Sequence, residues 1–263
     1  MTVIQYLMEN INTYILGLLI VVIFVLVTIL GLIIMRRYLP HQKCKNHNDV
    51  AGFIFATMGV IYAVLLAFVV IVTWGNFDKA SEITSKEANS IASLYRDSIA
   101  FPPEVRNQIK STLHDYVNAI IEDEWPQMVK GRSAKVQEIQ NNLWLIYTNF
   151  IPKNETQKTF LIESVRKLND AGEFRRWRIV KAQENIQPIL YFILIFGGFL
   201  TIAFTCFFGT ENFVPQIIMS SMLAVMIALA LFAIVALDCP FSGNISIKPD
   251  VFRNVLSSLL MSI

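Results

Sequence analysis

Residues 50–96 read VAGFIFATMGVIYAVLLAFVVIVTWGNF and then DKASEITSKEANSIASLYR. No charged residue stands between positions 50 and 77. At a rise of 1.5 Å per residue, about 20 apolar residues match the hydrocarbon core of a bilayer, so this first part is long enough to cross one. The second part is polar, lacks proline and permits a helix. Together they predict one long helix that leaves the membrane near positions 74–78 and continues into water. Gly75 stands at the exit, but a single glycine costs a helix only about 1 kcal/mol. The rest of the chain is expected either to pair with this helix inside the bilayer or to pack on its extension.

The composition agrees. Of 263 residues 54% are hydrophobic and only 16% charged, which marks a membrane protein. The net charge of +2 offers no nucleic-acid surface. Three cysteines, Cys44, Cys206 and Cys239, are odd in number and scattered, so no disulfide framework is expected. Residues 1–14 contain no Lys or Arg, unlike the basic start of a signal peptide, so the first span is expected to stay as an anchor.

Working outward, a first span covers 14–35 and closes on Arg36 and Arg37. A short loop, 38–49, leads to the second span. A third span covers 189–208, the turn GTEN covers 209–212, and a fourth span follows Pro215 over 216–237. The predicted fold is an all-α integral membrane protein, with four transmembrane helices and a helical-bundle insert between the second and third. The divisions are 1–75 for the first two spans, 76–186 for the insert, 187–237 for a transmembrane hairpin and 238–263 for a tail. In the tail Val251, Phe252, Val255, Leu256, Leu259 and Leu260 share one helical face, which predicts a helix lying in the membrane interface.

The insert reads as helices throughout. Pro102 and Pro103 stop the long helix and open the next, since proline is tolerated in a first turn. Val105, Ile109, Leu113, Tyr116, Val117, Ile120 and Ile121 keep helical spacing, with an end expected at 126–131. A further helix carries Val136, Ile139, Leu143, Ile146, Tyr147 and Phe150, capped by Ser133 and ended by Pro152. Asn154 with Gln157 forms a capping box for the next. That helix, with Phe160, Leu161, Val165, Leu168 and Phe174, is expected to run into the third span.

Basic residues near span ends favour the cytoplasm. Lys79, Lys86, Arg175, Arg176, Arg178 and Lys181 flank the insert, and Lys248 and Arg253 lie in the tail. Arg36, Arg37, Lys43 and Lys45 lie in the short loop. The balance predicts a cytoplasmic insert and cytoplasmic termini, whereas the first span's own flank argues the reverse.

In the second span Gly52, Ala56, Gly59, Ala63 and Ala67 form a small-residue stripe, the kind that lets helix backbones approach closely in lipid. The face read as opposite to it, Phe55, Tyr62, Leu66, Val69 and Thr73, is the candidate lining of an axial pore with a hydrophobic constriction. No span contains Asp, Glu, Lys, Arg or His, which argues against a proton relay or an ion-coupled transporter. In the short loop His41, Cys44 and His47 have the ligand types of a zinc site, but Lys43 and Lys45 stand among them and a solvated loop is the plainer reading. In the insert Glu87, Glu122 and Glu124 are candidates to pair with Arg132, Arg175 or Arg178 between helices. No nucleophile, metal triad or glycine-rich phosphate loop accompanies these carboxylates, so no enzyme and no cofactor is predicted. Asp238, in LDCPFSG at 237–243, is expected to cap or pair at the interface.

As a set, GVIYAVLLAFVV, EANSIASLYR, the Tyr116 helix with EDEWPQMVKGR, RRWR and LDCPFSG make the chain similar to the bacterial bestrophin-like membrane proteins. The resemblance covers about residues 45–252. Its matching positions are Glu87, Ala88, Tyr95, Tyr116, Glu122, Trp125, Arg132, Arg175, Arg178, Asp238, Pro240 and Phe241. It implies a homo-oligomeric, anion-conducting channel of four spans in a bacterial inner membrane, whose second segment lines the pore, with an aromatic neck mapping to Phe55 and Tyr62. No bestrophin calcium clasp maps onto the chain. The expected partners are the lipid bilayer, further copies of the chain and inorganic ions. Arg175, Arg176 and Arg178 would form a basic lip that enriches anions. A non-conducting scaffold or stress sensor, acting through the insert, is the alternative.

Overall fold

The structure is a computed structural model that describes residues 3–38 and 45–261. Among these residues all regular structure is helical: α1 Val3–Asn10, α2 Thr13–Tyr38, α3 Asn48–Asp97, α4 Pro103–Ala119, α5 Ala134–Asn149, α6 Glu155–Gln183, α7 Pro188–Thr205, α8 Phe213–Asp238 and α9 Asp250–Met261. Four apolar stretches, in α2, α3, α7 and α8, are long enough to cross a membrane. The protein is an integral membrane protein of four spans. Helix α3 is unbroken through Gly75, and at 1.5 Å per residue it is about 75 Å long.

The chain divides into two units, one made of residues up to 77 with 185–246, the other of 78–184 with 247 onward. In the insert unit the predicted apolar faces meet in one core. Ile91 and Leu94 of α3, Ile109, Leu113, Tyr116 and Val117 of α4, Val136, Leu143 and Tyr147 of α5, and Leu168 of α6 are buried together. Burying a side chain such as Leu113 is worth about 1.5–3 kcal/mol relative to leaving it in water. The caps form as read. Ser133 Oγ accepts from the Val136 amide at 3.3 Å and Asn154 Oδ1 from the Gln157 amide at 2.8 Å. The returning Gln157 side chain takes the amide of Lys153, one residue earlier than a capping box requires.

Three expectations are corrected. Helix α4 does not run on to 126–131 as α-helix: a π turn, Ile120–Glu124, and a 3₁₀ segment, Trp125–Lys130, replace its last turns. Gly131 then closes the segment at φ 128°, a backbone that other residues rarely adopt. Helix α6 does not continue into the third span. Glu184 leaves helical geometry, and Pro188 opens α7, because proline disfavours helix in the residue before it. The apolar face of α9 is not left for a membrane interface. Phe252 and Val255 are buried in the insert core, and Trp125 meets the Phe252 ring edge-on at 5.8 Å. The side chains of Leu259 and Leu260 lie outside the described residues.

In the membrane unit α2 lies along α8, and Gly17 lets the Phe232 ring approach closely. Tyr62, Leu66 and Val69 of α3 share a core with Leu194 and Ile202 of α7 and Ile227, Leu231 and Ile234 of α8. Thr28, Thr73 and Thr201 return their hydroxyls to carbonyls in the preceding turn. The ends of α2 and α7 meet the starts of α3 and α8. There Asn48 exchanges two hydrogen bonds of 2.9 Å with Gly209, and Lys45 pairs with Glu211 at 2.6 Å. Cys206 and Cys239 are free thiols, and Cys44 lies outside the described residues.

Candidate functional site

The membrane part of α3 uses one face inside the chain. Tyr62, Leu66, Val69 and Thr73 are buried, and the Tyr62 hydroxyl donates to the Leu194 carbonyl at 2.9 Å. Phe55 stacks on Phe204 at 5.8 Å and meets Phe208 edge-on at 5.6 Å. The stripe read as a pore lining is therefore occupied by the chain's own α7 and α8. The stripe read for packing is open in the single chain: Ala56, Ala63 and Ala67 are exposed, and a Cβ on Gly52 or Gly59 would meet nothing within 4 Å. The two stripes do not lie on opposite faces as expected: at about 100° per residue they are about 90° apart on the helix. Directly opposite the buried stripe stand Phe53, Val60, Val64, Phe68 and Ile71, all strongly exposed.

The insert unit contains a buried charge cluster drawn from three elements. Glu87 comes from α3, Glu124 from the π turn, and Arg175 and Arg178 from α6. All four are at most 2% exposed. Arg178 Nε donates to Glu87 Oε2 at 2.7 Å and Nη2 to Glu87 Oε1 at 3.0 Å, a bidentate fork. Its Nη2 also reaches Glu124 Oε1 at 2.9 Å. Arg175 Nε shares Glu124 at 3.1 Å from each oxygen, and its Nη1 donates to Gln137 at 3.1 Å and Gln140 at 2.9 Å. The Trp125 and Phe252 rings lie 5.2 and 5.6 Å from the Arg178 guanidinium, within cation–π range.

The two carboxylates part electrostatically. Burial pushes the Glu87 carboxyl above its usual range, and Arg178 only partly opposes this. Burial acts on Glu124 too, but Arg175 and Arg178 together outweigh it and hold that carboxyl below the usual range. Tyr116 sits beside the cluster with its hydroxyl buried and without a partner among the described residues. Burial, with Glu87 next, pushes its phenol well above the ordinary value.

The structure brings together Glu87, Glu124, Arg175 and Arg178 from the predicted set and leaves Glu122 and Arg132 exposed, outside the cluster. Glu124, not Glu122, is the buried acid. Its spacing from Val117 and Ile120 already puts it on the apolar face, a signal legible in the sequence. Arg175 and Arg178 do not form a basic lip, because both are buried and ion-paired; only Arg176 of the three is exposed. Tyr95 is half-buried, with Lys110 Nζ 4.5 Å above its ring. Ala88 is buried in the insert core.

Asp238, the last residue of α8, is buried and ties down the start of α7. Its carboxylate accepts from the Ile186 amide at 2.8 Å, the Tyr191 hydroxyl at 2.9 Å and Asn185 Nδ2 at 3.3 Å. Pro240 is buried and Phe241 half-buried in the turn that follows. Of the loop ligands, His47 is exposed, and His41 and Cys44 lie outside the described residues.

No functionally curated protein matches the chain. Among solved structures it is similar to a bacterial bestrophin homologue from Klebsiella pneumoniae, at 13% identity and TM-score 0.68 over 93% of this chain and 97% of that one. A single-substitution variant of that homologue gives 14% identity and TM-score 0.72 over 92% and 98%. These likenesses concern the fold. The family profile of the Bestrophin-like domain matches residues 22–252, nearly the whole chain, and the protein belongs to the Bestrophin-like family.

Proposed function

We propose that the protein is a homo-oligomeric ion channel with α3 of each copy around a central axis. The observation that carries this reading is the division of labour on α3. One stripe is used inside the chain, and the remaining apolar faces stay exposed along the whole membrane stretch. In a ring the face opposite the buried stripe turns to the axis. The lumen is then lined by Phe53, Val60, Val64, Phe68 and Ile71, an apolar neck of the kind that gates by dewetting. The open small stripe, Gly52 to Ala67, packs against the neighbouring copy, where Ile54, Ile61, Leu65 and Val72 offer larger side chains. Such a head-to-tail contact builds a ring when its rotation closes on itself. This replaces Phe55 and Tyr62 as the neck. The charge count near the span ends supports a cytoplasmic insert, and the likeness to a bacterial homologue supports a bacterial inner membrane.

The test is current across planar bilayers from purified protein under a KCl gradient, with Val64→Ala and Phe68→Ala as wider-neck variants. Ion currents that grow in these variants are expected. Silence from a folded ring, across voltage and in both variants, overturns the reading in favour of a scaffold.

A further inference from the structure

Between α5 and α6, within the insert unit, lies a cavity of about 160 Å³ lined by Arg132, Arg175, Arg176, Gln137, Gln140 and Trp144. Its polar chemistry is one-sided. A guanidinium has donors and no acceptor, so the two glutamine oxygens are fixed toward Arg175 Nη1, at 3.1 and 2.9 Å. Gln137 Nε2 is engaged by Asn141 at 3.1 Å. What the lining has left is the Gln140 amide nitrogen, the Trp144 indole N–H and the guanidinium groups of Arg132 and Arg176. All of these are donors, and no carboxylate lines the cavity.

The charges are uneven as well. Inside the cluster two arginines face two glutamates. Arg132 and Arg176 stand outside that balance, exposed and without a carboxylate partner among the described residues. The cavity therefore carries an excess of two positive charges over its neutral floor. A water occupies about 30 Å³ of liquid, so the space suits a few waters or one small polyatomic anion. Two positively charged forks beside amide and indole donors match an oxyanion, which arginine binds in bidentate fashion.

We infer that this cavity is a binding site for a small phosphate oxyanion, joining the segment that leads into α5 to α6 through Arg132 and Arg176. Gly172 is part of it. A Cβ there would stand 2.7 Å from Gln140 Nε2 and push that donor away. The inference is independent of conduction and of the neck.

The test is titration calorimetry of the full chain in detergent with inorganic phosphate, against a constant chloride background. Saturable binding is expected. Arg132→Gln with Arg176→Gln should weaken it by about tenfold or more, the scale of one lost charge-assisted contact. Both side chains are exposed, so an unchanged thermal midpoint without phosphate shows the variant to be folded. Gly172→Ala, which alters no charge, should also weaken binding. Absence of saturable heat up to about 10 mM phosphate, where a site with a Kd of about 1 mM would be about 90% filled, overturns the inference. So does equal affinity in the parent and the double glutamine variant.

Discussion

Replacing Arg178 by Met removes the centre of the buried cluster while keeping a side chain of similar reach. Arg178 is wholly buried and supplies Glu87 with both of its charged hydrogen bonds, at 2.7 and 3.0 Å. Glu124 loses one partner and keeps Arg175. The loss therefore falls mainly on Glu87, left buried without a cation. Breaking a buried pair in this way costs about 3–5 kcal/mol. For a chain of this size each kcal/mol moves the midpoint by about 2–4 °C, so Arg178→Met should melt roughly 6–20 °C lower. The assay is a far-UV circular dichroism melt of the full chain in detergent at neutral pH. Trp125, whose ring lies 5.2 Å from the guanidinium, serves as a local fluorescence reporter. Adding Glu87→Met removes the orphaned carboxylate, so the double variant should recover part of the loss. Acid should also favour Arg178→Met relative to the parent. The orphaned carboxyl has a folded pKa above its unfolded value, so it takes up a proton on folding and stability is regained as pH falls. The reasoning is refuted if Arg178→Met melts within about 2 °C of the parent, the effect of an ordinary surface substitution, or if the double variant melts no higher than the single one.

Glu124→Gln should flatten the acid limb of the stability curve. Its carboxyl is held below the usual range by Arg175 and Arg178 after burial is overcome, so its stabilisation is present above about pH 4.3 and lost as pH falls through the lower folded value. Melting midpoints from about pH 5 down to about pH 2, across the window in which the carboxyl is protonated, check this, and equal slopes in parent and variant would contradict it. Asp238→Ala leaves the buried Ile186 amide and the Tyr191 hydroxyl without their acceptor and should cost about 1–3 kcal/mol, with Asp238→Asn intermediate; thermal midpoints decide. Gly198→Ala places a Cβ 2.9 Å from the Tyr62 hydroxyl and 3.1 Å from Ile227, and Tyr62 is held by Leu194. It should cost about 1–3 kcal/mol, and Tyr62→Phe in the same chain should return part of that by making room, which a double-mutant cycle measures.

The four spans, the unbroken α3 and the insert core were legible because water separates apolar from polar faces. Leu113, Tyr116 and Val117 announce their burial by spacing alone. The same rule exposes Glu124 as the buried acid, since it continues that face. The use of α3 in the membrane was not legible by this route. Every face of residues 50–77 is apolar, so polarity marks none of them, and only the positions of α7 and α8 show that Tyr62 and Val69 face inward. The RRWR run misled in a similar way. Arginine reads as surface until a partner is known, and the partners of Arg175 and Arg178 lie some fifty to ninety residues away in sequence. The docking of α9 was hidden for a related reason: an amphipathic face does not say whether lipid or protein covers it.

The spans hold no Asp, Glu, Lys, Arg or His before their ends, and the threonine hydroxyls within them are bonded to their own backbone. A lumen on the exposed face of α3 therefore offers an ion neither a fixed charge nor an unused oxygen ligand. In the proposed ring its barrier would be the removal of water by Phe53, Val60, Val64, Phe68 and Ile71, and that barrier would fall on cations and anions alike. Discrimination by sign must come from charges beyond the span. Those next along α3 are of both signs, with Glu82 held between Lys79 at 3.0 Å and Lys86 at 2.5 Å. The arginines of the RRWR run add little, since two of them are neutralised by Glu87 and Glu124. A KCl gradient should then give a reversal potential close to zero, with conductance rising as the neck side chains shrink. Reversal at the potassium or the chloride potential would demand a charged constriction, which this face of α3 does not contain, and would move the lumen to another element of the chain.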